Sequence, residues 1–263
     1  MANKYLARDD APFGSDVWKV LDSTVIEVAK NRLTGRRLLP LDGPYGLGLK
    51  SIPLRDMEVD DGLIVSETLP VVLIQEFFDL GARDLANFER DHHYLDVEPV
   101  EQAARACVER EDDLIFNGGA GLPGLMNLSG ASNLTLADWD DIGTAARDII
   151  QAITTLDAAG FHGPYAMALA PRRYNLLFRR YPNGNQSELE HLHTIITDGI
   201  VKAPILEDGG VVLAADHRNI TLVVGQDMTI GFIGPAGDTV EFSLSESLTL
   251  RVRHPEAICI LEA

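Results

Sequence analysis

Residues 99–119 read PVEQAARACVEREDDLIFNGG. Within them Val100, Ala103, Ala104, Cys107, Val108, Leu114 and Ile115 recur at three- and four-residue spacing, the period of one helix face. Pro99 suits a first helical turn, where its missing N–H costs nothing, and Gly118 and Gly119 end the pattern. The spacing predicts a long helix from about Pro99 to Asn117 with one buried stripe.

On the N-terminal side, Ser15 can cap an earlier helix whose stripe is Val17, Trp18, Leu21, Val25, Val28 and Ala29. It ends near Leu33, and Gly35 stops it. After a Pro- and Gly-rich passage, residues 50–74 alternate weakly, carry many charges and read as an extended hairpin-like excursion. On the C-terminal side a third long helix is expected from Thr135, with Asp138 three residues on as a variant capping box. Its stripe is Trp139, Ile142, Ala146, Ile149, Ile150, Ile153 and Leu156, and Gly160 ends it. A strand (YAMALA, 165–170), a short helix after Pro171 and a helix with a Ser187/Glu190 capping box come next. From Val211 the chain reads as strands: VVLAA, ITLVVG, MTIGF, TVEFSLS, LTLRVR and AICILE. Helices and strands are mixed without regular alternation, so the class is α+β. The echo of GPYG (43–46) in GPYA (163–166) has no matching flanks and is not a repeat.

The 263 residues, 46% of them hydrophobic, suffice for one large or two modest domains. Asp and Glu number 40 against 22 Lys and Arg, a formal charge of −18. That balance argues against nucleic acid as a partner, which needs basic surface, and against an anionic membrane. No apolar run approaches the roughly 18 residues of a membrane span, and MANKYLARDDAPFG has no signal-peptide core. A cytoplasmic location is expected. Cys107 and Cys259 lie in apolar periodic segments, where buried free thiols are the default.

Chemistry is sparse. GGAGLPG (118–124) lacks the Lys-Ser/Thr of a phosphate loop and follows a helix instead of a strand. Glu89, Asp91, His92, His93 and Asp96 are the best metal candidates, but adjacent histidines do not share a face, so NFERDHHYLDVE is expected to be a solvated loop. His191 and His193 point apart on a helix and read as surface residues. No nucleophile motif is present. Neither catalysis, a metal nor a cofactor is expected.

Several segments together resemble the encapsulin family of nanocompartment shell proteins. Residues 33–47, LTGRRLLPLDGPYGL, resemble its Gly-Arg segment leading into Gly-Pro-Tyr-Gly. Asn87-Phe-Glu-Arg90 resembles its Asn-Leu-Glu-Arg. The run from Glu109 to Gly118 with Gly121–Leu125, then Gly163–Tyr165, Gly225–Gly231, Glu246–Leu250 and Pro255–Ala257 also match, in the family's order. The resemblance covers residues 13–263 and implies the fold of tailed-phage major capsid proteins, with a peripheral domain, an axial domain and an extended loop. Residues 1–46 would form the N-terminal helix and arm, 47–76 the extended loop, 77–124 the peripheral domain with its spine helix, 125–222 the axial domain, and 223–263 the returning peripheral strands.

The resemblance further implies a self-assembling icosahedral shell of about 60 copies. It would enclose a cargo enzyme, such as a ferritin-like protein or a dye-decolourising peroxidase, caught by a short C-terminal targeting peptide. The positions matching the peptide site are Trp18, Leu21, Val25, Arg36, Met228 and Ile230; the alternative is that these residues only fill the peripheral domain's core. Pro182, Asn183, Gly184, Asn185, Gln186, Ser187 and Glu188 would ring a five-fold pore. Pro40 stands where many relatives have an acid, and Leu47 where some have Trp. Arg83 stands where one branch has a flavin-stacking Trp, so no flavin is expected. Two other readings share features of this sequence: a phage capsid protein that packages DNA, and a hydrolytic enzyme, for which no catalytic constellation is visible.

Overall fold

A computed structural model describes residues 4–92, 94–182 and 184–263. Two short 3-10 turns, Lys4–Leu6 and Arg8–Asp10, lead into helix α1 (Ser15–Arg32) and the single turn α2 (Gly35–Leu38). Strands β1 (Leu41–Asp42), β2 (Ser51–Asp60), β3 (Leu63–Pro70) and β4 (Val72–Gly81) precede α3 (Ala82–Asp91) and the long helix α4 (Glu98–Phe116). Next come β5 (Ser132–Thr135), α5 (Thr144–Ala158), β6 (Tyr165–Leu169), α6 (Pro171–Leu176) and α7 (Glu188–Leu192). Six strands finish the chain: β7 (Ile200–Lys202), β8 (Gly210–Ala214), β9 (Ile220–Val224), β10 (Thr229–Ala236), β11 (Thr239–Val252) and, after a last 3-10 turn, β12 (Ile258–Glu262).

The chain forms two compact units. The first comprises residues up to Leu33, Gly43–Glu111 and Val223–Thr249; the second comprises Thr34–Asp42, Asp112–Leu222 and Leu250–Ala263.

In the first unit β11 runs antiparallel between β4 and β10, so Phe242 has Phe78 as its register partner on one side and Phe232 on the other. The Phe78 and Phe242 rings stack 5.1 Å apart. Helix α4 buries Val100, Ala104, Cys107 and Val108, as the three- and four-residue spacing predicts, and the Cys107 thiol sits 4.0 Å from the Leu244 carbonyl of β11. Strands β2 and β3 form a separate two-stranded hairpin, turned at Asp61–Gly62 with Gly62 at φ 77°, a conformation that favours glycine. Ile52, at its base, is buried, but toward the turn the apolar side chains stay in the open: Val59, Leu63 and Ile64 are 66%, 61% and 69% exposed.

In the second unit a five-stranded sheet has the order β5-β12-β8-β6-β7, parallel at its two outer pairs and antiparallel within. Every residue of β6 and β8 is buried, which explains their continuous apolar sequence. Helix α5 covers the sheet with Ile149, Ile153 and Leu156, which pack with Trp139, Met167, Leu169, Val212 and Leu261.

Three expectations are corrected. The helix expected from Thr135 begins at Thr144: Thr135 ends β5, and Gly143 at φ 98° caps the helix. Trp139 reaches the core from a loop, donating its indole N–H to Asp148 at 3.0 Å, so its helix-like spacing from Ile142 and Ala146 reflects tertiary packing. The segment expected as a solvated loop around Asn87–Asp91 is helical, and α3 ends at His92 in the left-handed region (φ 51°); His93 lies outside the described residues. TVEFSLS and LTLRVR are one continuous strand, β11. The GPYG and GPYA segments share a local conformation, a glycine at positive φ before a cis proline.

Candidate functional site

Helix α1 brings Trp18, Leu21, Asp22 and Val25 to one face by its three- and four-residue spacing. Facing it is the start of β10. The turn before that strand is pinned by Gln226, whose backbone N–H donates to the Ser247 hydroxyl (2.9 Å) and whose side-chain amide donates to the Ser245 carbonyl and hydroxyl (3.2 and 3.0 Å). Asp227 then accepts the backbone N–H of Met228 at 2.9 Å. Gly-Gln-Asp thus fixes where Met228 and Ile230 point.

Between α1 and β10 lies an open groove of about 230 Å³, lined by Arg8, Asp22, Val25, Ile26, Met228, Thr229 and Ile230. Three residues expected at a peptide site, Val25, Met228 and Ile230, line it together. Leu21 is fully buried, and Trp18 is half-buried against Phe13 (5.2 Å between rings) and Phe242 (6.0 Å). Ile230 is also fully buried, so its side chain serves the core as well as the groove wall. Arg36 belongs to the second unit, on α2, and is half-buried.

Sequence reading missed four lining residues. Asp22 and Ile26 were within reach of it, being four and eight residues beyond Trp18 on the same helix. Thr229 sits between two residues already singled out. Arg8 had no signal at all. Its guanidinium stacks 4.0 Å over the Trp18 ring and donates to both carboxylate oxygens of Asp22, at 3.0 and 2.7 Å. A second, wider groove of about 520 Å³ adjoins at Arg8 and Thr229 and is lined further by Leu6, Pro44, Tyr45, Leu47 and Gln226.

The expected pore residues form an exposed loop on a fixed base. Pro182, Gly184, Asn185 and Gln186 are exposed, and Asn183 lies outside the described residues. Ser187 and Glu188 are buried instead of lining a rim. Ser187 caps α7, its hydroxyl accepting the Glu190 backbone N–H at 3.2 Å. Glu188 accepts the Gly143 N–H at 2.8 Å and pairs with Arg179. The Tyr181 hydroxyl and Nδ1 of His191 share a hydrogen bond of 2.9 Å, and burial, with Glu188 close by, pushes the Tyr181 phenol above its ordinary value.

Both cysteines are buried free thiols, Cys107 in the first unit and Cys259 in the second. Burial, reinforced at Cys107 by Glu246 and Glu76, pushes Cys107 far up and Cys259 to about 11. Neither is an activated nucleophile. Among the described residues, no three His, Cys, Asp or Glu side chains gather as a metal ion requires, and no helix is long and apolar enough to cross a membrane.

A family model described as "Encapsulating protein for peroxidase" matches residues 3–249. The chain is 34% identical to the type 1 encapsulin shell protein EncA of Myxococcus xanthus, over 98% of this chain and 96% of that one. The crystal structure of a virus-like particle from Pyrococcus furiosus superposes with a TM-score of 0.79 at 25% identity, over 94% of this chain and 99% of that one. The capsid of Myoviridae phage XM1 matches in fold, with a TM-score of 0.65 at 15% identity, over 85% of this chain and 88% of the capsid chain.

Proposed function

Because this chain belongs to the encapsulin family of shell proteins, and so has a structural and not an enzymatic role, we propose that it assembles into a closed icosahedral cage of about 60 copies around a captured enzyme. Residues 47–76 serve as the extended loop, 125–222 as the axial domain, and 1–46, 77–124 and 223–263 as the peripheral domain. The observation that carries assembly is the hairpin β2–β3. A two-stranded hairpin alone is marginal in water, and this one, with no third strand among the described residues, exposes Val59, Leu63, Ile64 and Val65. A neighbouring copy covers it in the cage.

The occupant of the cage is an enzyme whose C-terminal tail docks in the groove between α1 and β10. A family described as encapsulating a peroxidase supports a peroxidase cargo, and a ferritin-like-encapsulin shell fusion protein of Pyrococcus furiosus supports a ferritin-like protein as the other class. The tail's Leu or Ile anchors meet Val25, Met228 and Ile230, over Trp18 and Leu21. The exposed loop around Pro182–Gln186 rims a five-fold pore through which small substrates pass. The cage is cytoplasmic.

The test is capture of a monomeric fluorescent protein carrying the C-terminal tail of the protein that co-purifies with the shell. Shells should form in both Met228→Ala and Ile230→Ala and should hold about 5- to 150-fold less of it, the effect of removing one anchor. Unchanged loading in both variants would place the tail elsewhere.

A further inference from the structure

Among the described residues Arg8 is the one cation lining the groove, and its surroundings restrict how it can bind. Its two terminal nitrogens each spend one N–H on Asp22, and its flat face lies on Trp18. Among the described residues Asp22 is its only hydrogen-bonding partner, so Nε–H and one N–H on each terminal nitrogen remain to be used. The side chain is only 21% exposed. Asp22 cancels the charge, while the pair and the stack hold the fork still. A carboxylate arriving here would meet Asp22 at the same guanidinium; a neutral carbonyl meets unspent donors without that repulsion.

The position of Arg8 adds a second constraint. It lines both the groove that holds Val25 and Ile230 and the adjoining groove that holds Tyr45 and Leu47. A chain running from one to the other passes Arg8.

We propose that Arg8 is a binding residue for the tail's main chain: its unspent N–H groups donate to a backbone carbonyl where the extended peptide passes between the two grooves, and they fix the register in which the apolar anchors enter. This rests on the peptide-capture reading above and adds a residue that the resemblance does not supply. Recognition of a neutral carbonyl carries two consequences. Capture depends little on salt, because no net charge is matched, and it depends on the guanidinium fork and not on positive charge.

Wild-type shells, Arg8→Lys shells and the tail peptide in synthetic form, with each amide in turn replaced by an ester, make the test. An ester carbonyl is a weaker acceptor than an amide carbonyl. In wild type one ester position should lower capture roughly 3- to 10-fold, the range of a single hydrogen bond, and that position should have no effect in Arg8→Lys. Arg8→Lys should capture the unmodified tail roughly 10-fold more weakly, although lysine keeps the charge. Raising NaCl from about 0.05 to 0.5 M should change wild-type capture less than about twofold. Equal capture by Arg8→Lys, an ester effect that persists in that variant, or a fall of tenfold or more with salt would overturn the assignment. If wild-type shells capture no tail at all, the peptide-capture reading itself fails, which is a separate outcome. Should Arg8→Lys not assemble, the ester scan and salt titration on wild type decide alone: no sensitive position, or strong salt dependence, overturns it.

Discussion

The carboxylate of Asp112, near the end of α4, accepts the backbone N–H of Gly35 at 2.8 Å, and it takes the Thr34 N–H at 3.1 Å as well. This one buried side chain satisfies the first free N–H groups of α2 and ties the Gly-Arg-Arg segment to the long helix within the second unit. Gly35 has no room for a side chain: a Cβ there would meet the Ile115 Cδ1 at 2.5 Å and its Cγ2 at 3.2 Å, and Ile115 is fully buried.

Asp112→Ala should therefore destabilise the folded chain by about 1–3 kcal/mol, because it leaves two buried N–H groups without an acceptor. Gly35→Ala should cost a similar amount, about 1–3 kcal/mol, by overpacking. Thermal or denaturant unfolding of the soluble variants measures both. Wild-type stability in either would show that the segment is not fixed in this way.

Deleting the tips of β2 and β3, or placing Asp at Leu63 and Ile64, should leave the chain folded, because these side chains are largely exposed within it. It should abolish assembly. Far-UV circular dichroism would stay as in wild type, while sedimentation would show small species. Full-sized particles from either variant would remove the hairpin from the assembly contact.

The long helices, the hairpin excursion and the late strands were all legible in the spacing of apolar residues, and Ser187/Glu190 marked α7 to the residue. The errors share a cause. Trp139 and Ile142 fall at helical spacing from Ala146 and Ile149, yet Asp148 and the core hold Trp139 on a loop, a tertiary preference that no local period encodes. Helix α3 was hidden because Leu85 is its one buried residue, so it carries almost no stripe. At the groove, Val25, Met228 and Ile230 were legible through the family's motifs. Arg8 was not: its role arises from Asp22 and Trp18, fourteen and ten residues away in the chain.

The base and the tip of the loop proposed to rim a pore should respond differently to change. Glu188→Ala removes the acceptor for Gly143 and leaves Arg179 without its buried partner. It should lower stability by about 2–4 kcal/mol. Replacing Gly184–Gln186 with a longer Gly/Ser stretch should leave assembly intact and alter entry of small molecules, read as the rate at which an encapsulated enzyme meets its substrate. Loss of shells from the tip exchange would make the loop structural.

Thiol reagents should leave the native protein untouched at neutral pH. Cys259 is pushed up to about 11 and Cys107 further, so the reactive thiolate is scarce and both sulfurs are covered. Two thiols should titrate only after denaturation. Rapid labelling of the native shell would mean that one of the two cores opens.

The most direct measurement is the mass of the purified particle by light scattering coupled to size exclusion at micromolar concentration. About 60 chains of 28.7 kDa make a closed particle of about 1.7 MDa, and that single species is the predicted result. A stable monomer or small ring would contradict the account.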